Sequence, residues 1–100
     1  MGHYKNASGG SKDVTAAGTA EQLTSTSTPV PIGTKLVILA KMTNAGDVKI
    51  GYTAAVAEGA TPLFVLKRGQ YLRIAVDNAN IVYLDVTVSG EGVYWFTEQA

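Results

Sequence analysis

The sequence predicts an all-β protein: a compact antiparallel β-sandwich, jelly-roll-like or a partly closed barrel, with about seven to eight strands. Short apolar runs alternate with clusters of Gly, Asn and Asp at intervals of about ten residues, which is typical of sandwiches and barrels. The chain contains 11 Val and 11 Thr, whose branched side chains suit a pleated, half-buried surface. No window has the period of an amphipathic helix.

Length and charge limit the classes of protein to consider. A chain of 100 residues makes one domain, which we expect at residues 13–100. Eight basic residues balance eight acidic ones, so neither nucleic acid nor a membrane surface is an expected partner. Charged residues amount to only 16%, which favours association between chains. Because the chain has no cysteine, disulfides and thiolate metal sites are excluded.

Residues 1–12 are predicted to form a flexible N-terminal arm, because they are rich in Gly and Ser and offer little to bury. The arm holds two Lys and no acidic residue, for a formal charge of +2, whereas six basic and eight acidic residues give the remainder −2. This split would let His3, Tyr4 and Lys5 contact a neighbouring subunit; the alternative is an ordinary solvated terminus.

Eight segments with apolar alternation are predicted as strands. They are residues 14–17, 20–24, 35–43, 48–52, 63–66, 71–76, 81–88 and 93–98. Residues 24–31 cannot sustain a helix, because prolines follow a Ser/Thr run, and they form a connection or an edge. Residues 53–61 are small and without period, which indicates a loop that could hold a single helical turn.

Three turns are predicted to close local hairpins. At residues 44–46, a left-handed Gly46 would place Ala40 opposite Ile50, and also Lys41 opposite Lys49. At residues 67–69, Gly69 would supply a positive φ for a second hairpin that pairs residues 64–66 with 70–72.

The third turn predicts the core face and an opposite face. With Gly90 first in a type II′ turn, residues 84, 86 and 88 would pair with 97, 95 and 93 and point into the core. Tyr83 and Asp85 would then lie beside Tyr94 and Phe96 on the opposite face. Either the second sheet or residues 14–23 cover this face, or it is an exposed patch that contacts another subunit.

Reactive groups are sparse. The sole histidine lies in the predicted arm, so a Ser nucleophile would lack a base, and the carboxylates fall mostly in turns or at strand ends. Residues 77–80 offer oxygen ligands, but Asp and Asn also hydrogen-bond the backbone in turns, and this interpretation is the better one. We therefore expect no enzyme, no cofactor and no metal site.

Two classes of function remain. The first is a structural module whose sheet faces and arm contact copies of itself or a larger lattice. The second is a small carbohydrate-binding sandwich that uses Tyr94, Phe96 or Trp95 as a sugar platform. The predicted register buries Trp95, which favours assembly.

Four short patterns between Gly18 and Tyr94 resemble a family of small structural proteins of tailed bacteriophages, which serve as capsid decoration or head-fibre base modules. Residues 17–20 with Leu23 resemble the opening strand of that family, and residues 44–51 its N-x-G hairpin followed by V-x-I-G. Residues 66–70 resemble its L-x-x-G-E/Q turn. Residues 76–80, 82–85 and 90–93 together resemble the closing block of that family.

The resemblance implies a non-enzymatic virion protein, folded as a compact β-sandwich and located on the capsid surface after assembly in the host cytoplasm. It also implies two partners: further copies of the chain, with a homotrimer favoured because capsid lattices offer three-fold sites, and the major capsid protein or another virion protein.

Overall fold

The structure, a computed structural model, describes residues 9–99, and the side chain of residue 99 lies outside that description. These residues form eight β-strands and the segments that connect them. The strands are β1 (Gly9–Asp13), β2 (Glu21–Gln22), β3 (Thr34–Ala40), β4 (Val48–Gly51), β5 (Phe64–Leu66), β6 (Tyr71–Ile74), β7 (Tyr83–Val86) and β8 (Gly92–Gln99). A short helix, α1 (Ala54–Glu58), follows β4, and a 3₁₀ helix (Ala79–Ile81) precedes β7.

The strand pairing is that of a jelly roll. β1 pairs with β8, β2 with β7, β3 with β6 and β4 with β5, all antiparallel, as in one long ribbon folded back on itself. The ribbon then wraps so that β8 also pairs with β3, and β7 with β4. The result is two four-stranded sheets, sheet A (β1-β8-β3-β6) and sheet B (β2-β7-β4-β5). The predicted all-β sandwich is confirmed, and of its two variants the jelly roll fits, because the sheets do not close into a barrel.

The core lies between the two sheets, because apolar side chains alternate with polar ones along the strands. Sheet A contributes Leu36, Ile38, Ala40, Ile74, Val93 and Trp95, and sheet B contributes Val48, Ile50, Leu66, Leu84 and Val86. Connections add Val14, Leu23, Val30, Ala79 and Val82. Each buried Val, Leu or Ile stabilises the fold by about 1.5–3 kcal/mol.

The three predicted local hairpins are wrong. β3 and β4 lie in different sheets, as do β5 and β6, and β7 and β8. Among the described strands, only β4 and β5 are consecutive and paired. Gly46 has no positive φ, whereas Gly69 does, at +78°. Gly90 also has a positive φ, at +87°. It is, however, the third residue of its turn, which is closed by a hydrogen bond from Glu91 N–H to Val88 O at 3.3 Å.

Several predicted boundaries also change. Residues 15–18 form a turn and bend rather than a strand, and only Glu21–Gln22 of the second predicted strand pairs with a neighbour. The loop at residues 53–61 contains α1, whose first turn is capped by Thr53, because its Oγ1 accepts from Val56 N–H at 3.2 Å. Val88, predicted as core, is exposed.

The predicted arm at residues 1–12 needs a correction at its end. Gly9 to Lys12 lie in β1, where they pair with residues 93–96 of β8, so this part is a strand and not a flexible segment. His3, Tyr4 and Lys5 lie outside the described residues. Within residues 9–99, no helix has the length and apolarity needed to span a membrane.

Candidate docking surface

The four strand residues predicted as one patch do not come together. Tyr83 and Asp85 belong to β7 in sheet B, whereas Tyr94 and Phe96 belong to β8 in sheet A. All four alternate with core residues, so they lie on the outer sides of their sheets, and those outer sides face opposite directions. The prediction of a shared face is therefore wrong, because it required β7 and β8 to be neighbours.

Asp85 is a structural residue rather than part of an interface. Its side chain is only 2% exposed, and its Oδ1 accepts from Gly18 N–H and Val86 N–H, both at 2.8 Å. Lys49 Nζ lies 3.8 Å from the other carboxylate oxygen. A buried carboxylate needs such partners. Asp85 therefore fixes the β1–β2 loop on sheet B, and the prediction that residues 14–23 cover this face holds for Asp85.

The outer side of sheet A, in contrast, exposes large apolar side chains. Tyr71 is 61% exposed, Tyr94 51% and Phe96 39%. Tyr71 and Tyr94 flank Leu39 in register, and Phe96 lies beside Val37. We call these five residues the aromatic face. Their neighbours on β1 are Gly9 and Ser11, which are too small to cover Phe96 and Tyr94.

Charged groups surround the aromatic face in pairs. Arg73 Nε lies 2.9 Å from Glu98 Oε1, and the Arg73 guanidinium lies 5.9 Å from the centre of the Tyr71 ring. Lys41 Nζ lies 5.0 Å from the centre of the Tyr94 ring and 2.8 Å from Asp13 Oδ1. Cations at these distances are attracted to an aromatic ring. Each tyrosine of the aromatic face thus has a nearby cation that is itself paired with a carboxylate.

A shallow groove crosses the aromatic face. Its volume is about 230 Å³, and it is lined by Val37, Leu39, Tyr71, Arg73, Phe96 and Glu98. Val37 is almost fully buried at its floor. The groove thus has an apolar floor and one paired cation and carboxylate at its side.

Trp95 cannot serve as a surface platform, because it points into the core and is 8% exposed. Gly10 of β1 lies directly opposite, where an added Cβ would be 3.2 Å from the indole Nε1. The prediction that Trp95 is buried is confirmed, although the strands around it are not the predicted ones.

A second, polar cleft of about 290 Å³ lies between the loops at one end of the sandwich. There the Glu91 carboxylate accepts from Ala45 N–H at 2.6 Å and from Gly46 N–H at 2.9 Å. Asn44 is buried and donates to Gly92 O at 2.8 Å. These groups fasten the β3–β4 loop to the β7–β8 loop, so their hydrogen-bonding capacity is used within the chain.

Glu21 and Asn78 have structural roles as well. Lys12 Nζ lies 2.7 Å from Glu21 Oε1, and this hydrogen bond, with one from Thr15 N–H at 2.8 Å, lowers the pKa of Glu21. Asn78 caps the 3₁₀ helix, because its Oδ1 accepts from Asn80 N–H. The prediction that residues 77–80 are turn residues is thereby confirmed. Among the residues the structure describes, no three His, Cys, Asp or Glu side chains are grouped closely enough to hold a metal ion.

Sequence reasoning missed Tyr71, Arg73 and Lys41 as members of this surface. Tyr71 and Arg73 alternate with Leu72 and Ile74, so they were readable as one face of a strand. The pairing of β6 with β3 could not be read from the sequence, because residues 41–70 separate the two strands.

Comparisons with known proteins give no relative: no family model matches the chain, and no curated protein or solved structure shows significant similarity to it.

Proposed function

We propose that this chain is a non-enzymatic structural protein of a bacteriophage virion, a capsid decoration or head-fibre base protein. In this proposal it self-associates, as a trimer, and docks on the major capsid protein at the capsid surface after assembly in the host cytoplasm. One observation carries the proposal of docking: Tyr71, Tyr94 and Phe96 stand exposed together on the outer side of sheet A. Aromatic residues are enriched in the cores of protein interfaces.

Two further observations support it. The four sequence patterns resemble phage structural proteins, and the jelly roll is an architecture that viral capsid proteins use, although lectins and cupins use it too. Because one fold hosts many functions, the aromatic face carries more weight than the topology. Lys41 and Arg73 hold two of its tyrosines, which lowers the entropy lost when a partner covers them.

The test of self-association is the molar mass of the purified chain by light scattering at micromolar concentration. We expect the mass of a trimer; a clean monomer would contradict the proposal. Mass spectrometry of purified virions then tests the location, since the chain should be present in intact particles at a fixed ratio to the major capsid protein.

A second candidate function is carbohydrate binding, and the groove is the specific observation in its favour. Its volume of about 230 Å³ is below the ~300–1,000 Å³ of sites for drug-sized ligands, which suits a single sugar ring. Phe96 and Tyr71 would stack on the ring, and the Arg73–Glu98 pair would meet its hydroxyls. A monomer whose Tyr71 and Phe96 ring signals shift on addition of a soluble oligosaccharide would favour this candidate over assembly.

A further inference from the structure

The first strand, β1, is attached differently from the other strands. Gly9, Gly10, Ser11 and Asp13 are exposed, and Lys12 is partly exposed, so β1 adds no side chain to the core. The next residue, Val14, is fully buried. β1 therefore extends sheet A and touches the core only through its backbone, which covers Trp95.

Backbone pairing and two ion pairs hold β1 in place. Its five residues pair with residues 92–96 of β8. Lys12 contacts Glu21, and Asp13 contacts Lys41, in pairs that are partly open to solvent. Such pairs add little stability. The strand therefore depends mainly on the edge of β8.

The chain is fixed firmly from Val14 onward. Val14 N–H donates to Glu91 O at 2.9 Å, and Gly90 N–H donates to Val14 O at 2.8 Å. Gly18 is held by the buried carboxylate of Asp85. These anchors do not involve β1, so release of β1 at the Asp13–Val14 boundary would leave the core and the β1–β2 loop in place.

The edge of β8 requires a strand of a particular kind. Without β1, the backbone of β8 would be unpaired and the Trp95 indole uncovered, which is an aggregation-prone edge. An added Cβ at Gly10 would lie 3.2 Å from Trp95 Nε1 and 3.4 Å from its Cε2. A strand that fits thus carries glycine opposite Trp95, and β1 has that residue.

We infer that β1 exchanges between copies, so that in the assembled form β1 of one copy pairs with β8 of a second copy. This inference rests on the self-association proposed above. Exchange replaces contacts within a chain by the same contacts between chains, and it is a low-cost route to oligomers. Because β1 has no side chain in the core, the packing lost while the strand moves is confined to the cover that its backbone gives the Trp95 indole.

Because the chain has no cysteine, an engineered disulfide can test the exchange. In the double variant Gly9→Cys with Phe96→Cys, the two Cβ positions lie about 3.4 Å apart, near the ~3.8 Å typical of disulfides. With exchange, oxidation of the assembled protein links different chains, and a non-reducing denaturing gel shows dimers and larger species as the main bands. Main bands at the monomer mass would overturn exchange.

Two further pairs make the result decisive. Lys12→Cys with Val93→Cys joins the same strands and keeps all five residues of the aromatic face, and the pair whose molar mass under reducing conditions matches the wild-type chain is the one that decides. Gln22→Cys with Tyr83→Cys joins β2 and β7 in sheet B, outside the aromatic face, and it should stay at the monomer mass, which excludes random cross-linking.

The oxidised gel and the light-scattering mass together separate two failures. An oligomer whose β1–β8 disulfides remain within single chains would overturn exchange and leave the proposed self-association standing. A wild-type monomer would overturn both.

Discussion

At the scale of single residues, Trp95 shows how one side chain links the core to the sheet edge. Its indole packs inside the sandwich, under the backbone of Gly10, and its own backbone pairs with Ile38 of the central strand β3. Truncating it would leave a large cavity between the sheets and remove the support of β1.

We expect Trp95→Ala to destabilise the domain by ~3–5 kcal/mol. A chain of this length has a total stability of ~5–15 kcal/mol, so the variant should unfold at a clearly lower urea concentration, and at the low end of that range it should be partly unfolded without urea. Urea unfolding followed by circular dichroism measures the change. Tyr94→Ala is the matched control, because Tyr94 is a neighbouring aromatic residue on the exposed side. A cooperative transition close to that of the wild-type chain would contradict the core position of Trp95.

At the scale of elements, strands and core faces were largely predictable, whereas their partners were not. The alternation of Ile38, Ala40, Val48 and Ile50 predicts inward side chains whether β3 and β4 form a hairpin or lie in opposite sheets. Both arrangements bury the same residues, so the hydrophobic pattern cannot separate them. The predicted hairpin placed Lys41 opposite Lys49, and this unfavourable pair of like charges was a clue against it. In the structure Lys49 pairs with Asp85, which has the opposite charge.

Only part of the candidate site was predictable, again because the sequence does not show which strands pair. Tyr94 and Phe96 were recognised as outward-facing because they alternate with Val93 and Trp95 on one strand. Asp85 was assigned to the same face only through the wrong strand pair. Its burial depends on the β1–β2 loop, which contacts it across 67 residues of sequence, and no local pattern reports such a contact.

The ion pair between Lys12 of β1 and Glu21 of β2 predicts how the stability of the fold depends on pH. The hydrogen bonds from Lys12 and from Thr15 N–H lower the pKa of Glu21 in the folded state. The resulting stability is fully present above the unfolded pKa of about 4.3, and it is lost as the pH falls through the lower folded pKa. We expect Glu21→Gln to cost ~0.2–1 kcal/mol at pH 7 and nothing measurable below both pKa values.

Denaturant unfolding of the wild-type chain and of Glu21→Gln at several pH values measures this difference. Lys12→Met is the companion variant, and it should raise the pKa of the Glu21 carboxyl, as followed by carboxyl NMR signals. A stability difference that stays constant from pH 7 to strongly acidic pH would show that the carboxylate charge is not responsible.

At the scale of the whole molecule, the two outer faces of the sandwich differ in a way that favours a single direction of assembly. The loop before β2 and helix α1 pack over sheet B, whereas sheet A presents an uncovered apolar surface between paired charges. An isolated domain with no disulfide gains stability from covering that surface. One covered face and one open face fit the proposed assembly, in which the open face contacts a neighbour and the covered face remains in solvent.

The last prediction tests whether the aromatic face holds the assembly together. We expect Tyr71→Ser with Phe96→Ser to weaken self-association at least about 30-fold, since truncating even one interface hot spot costs ~2 kcal/mol or more. Tyr71 is 61% and Phe96 39% exposed in the single chain, so the unfolding free energy of the monomer should change much less than on truncation of the buried Trp95. Ile32→Ser is the matched control, because Ile32 is 105% exposed in the β2–β3 loop, away from the aromatic face. Light scattering over a concentration series measures the dissociation constants of the wild-type chain, the double variant and the control. Equal values for the double variant and the control would place the contact elsewhere on the molecule.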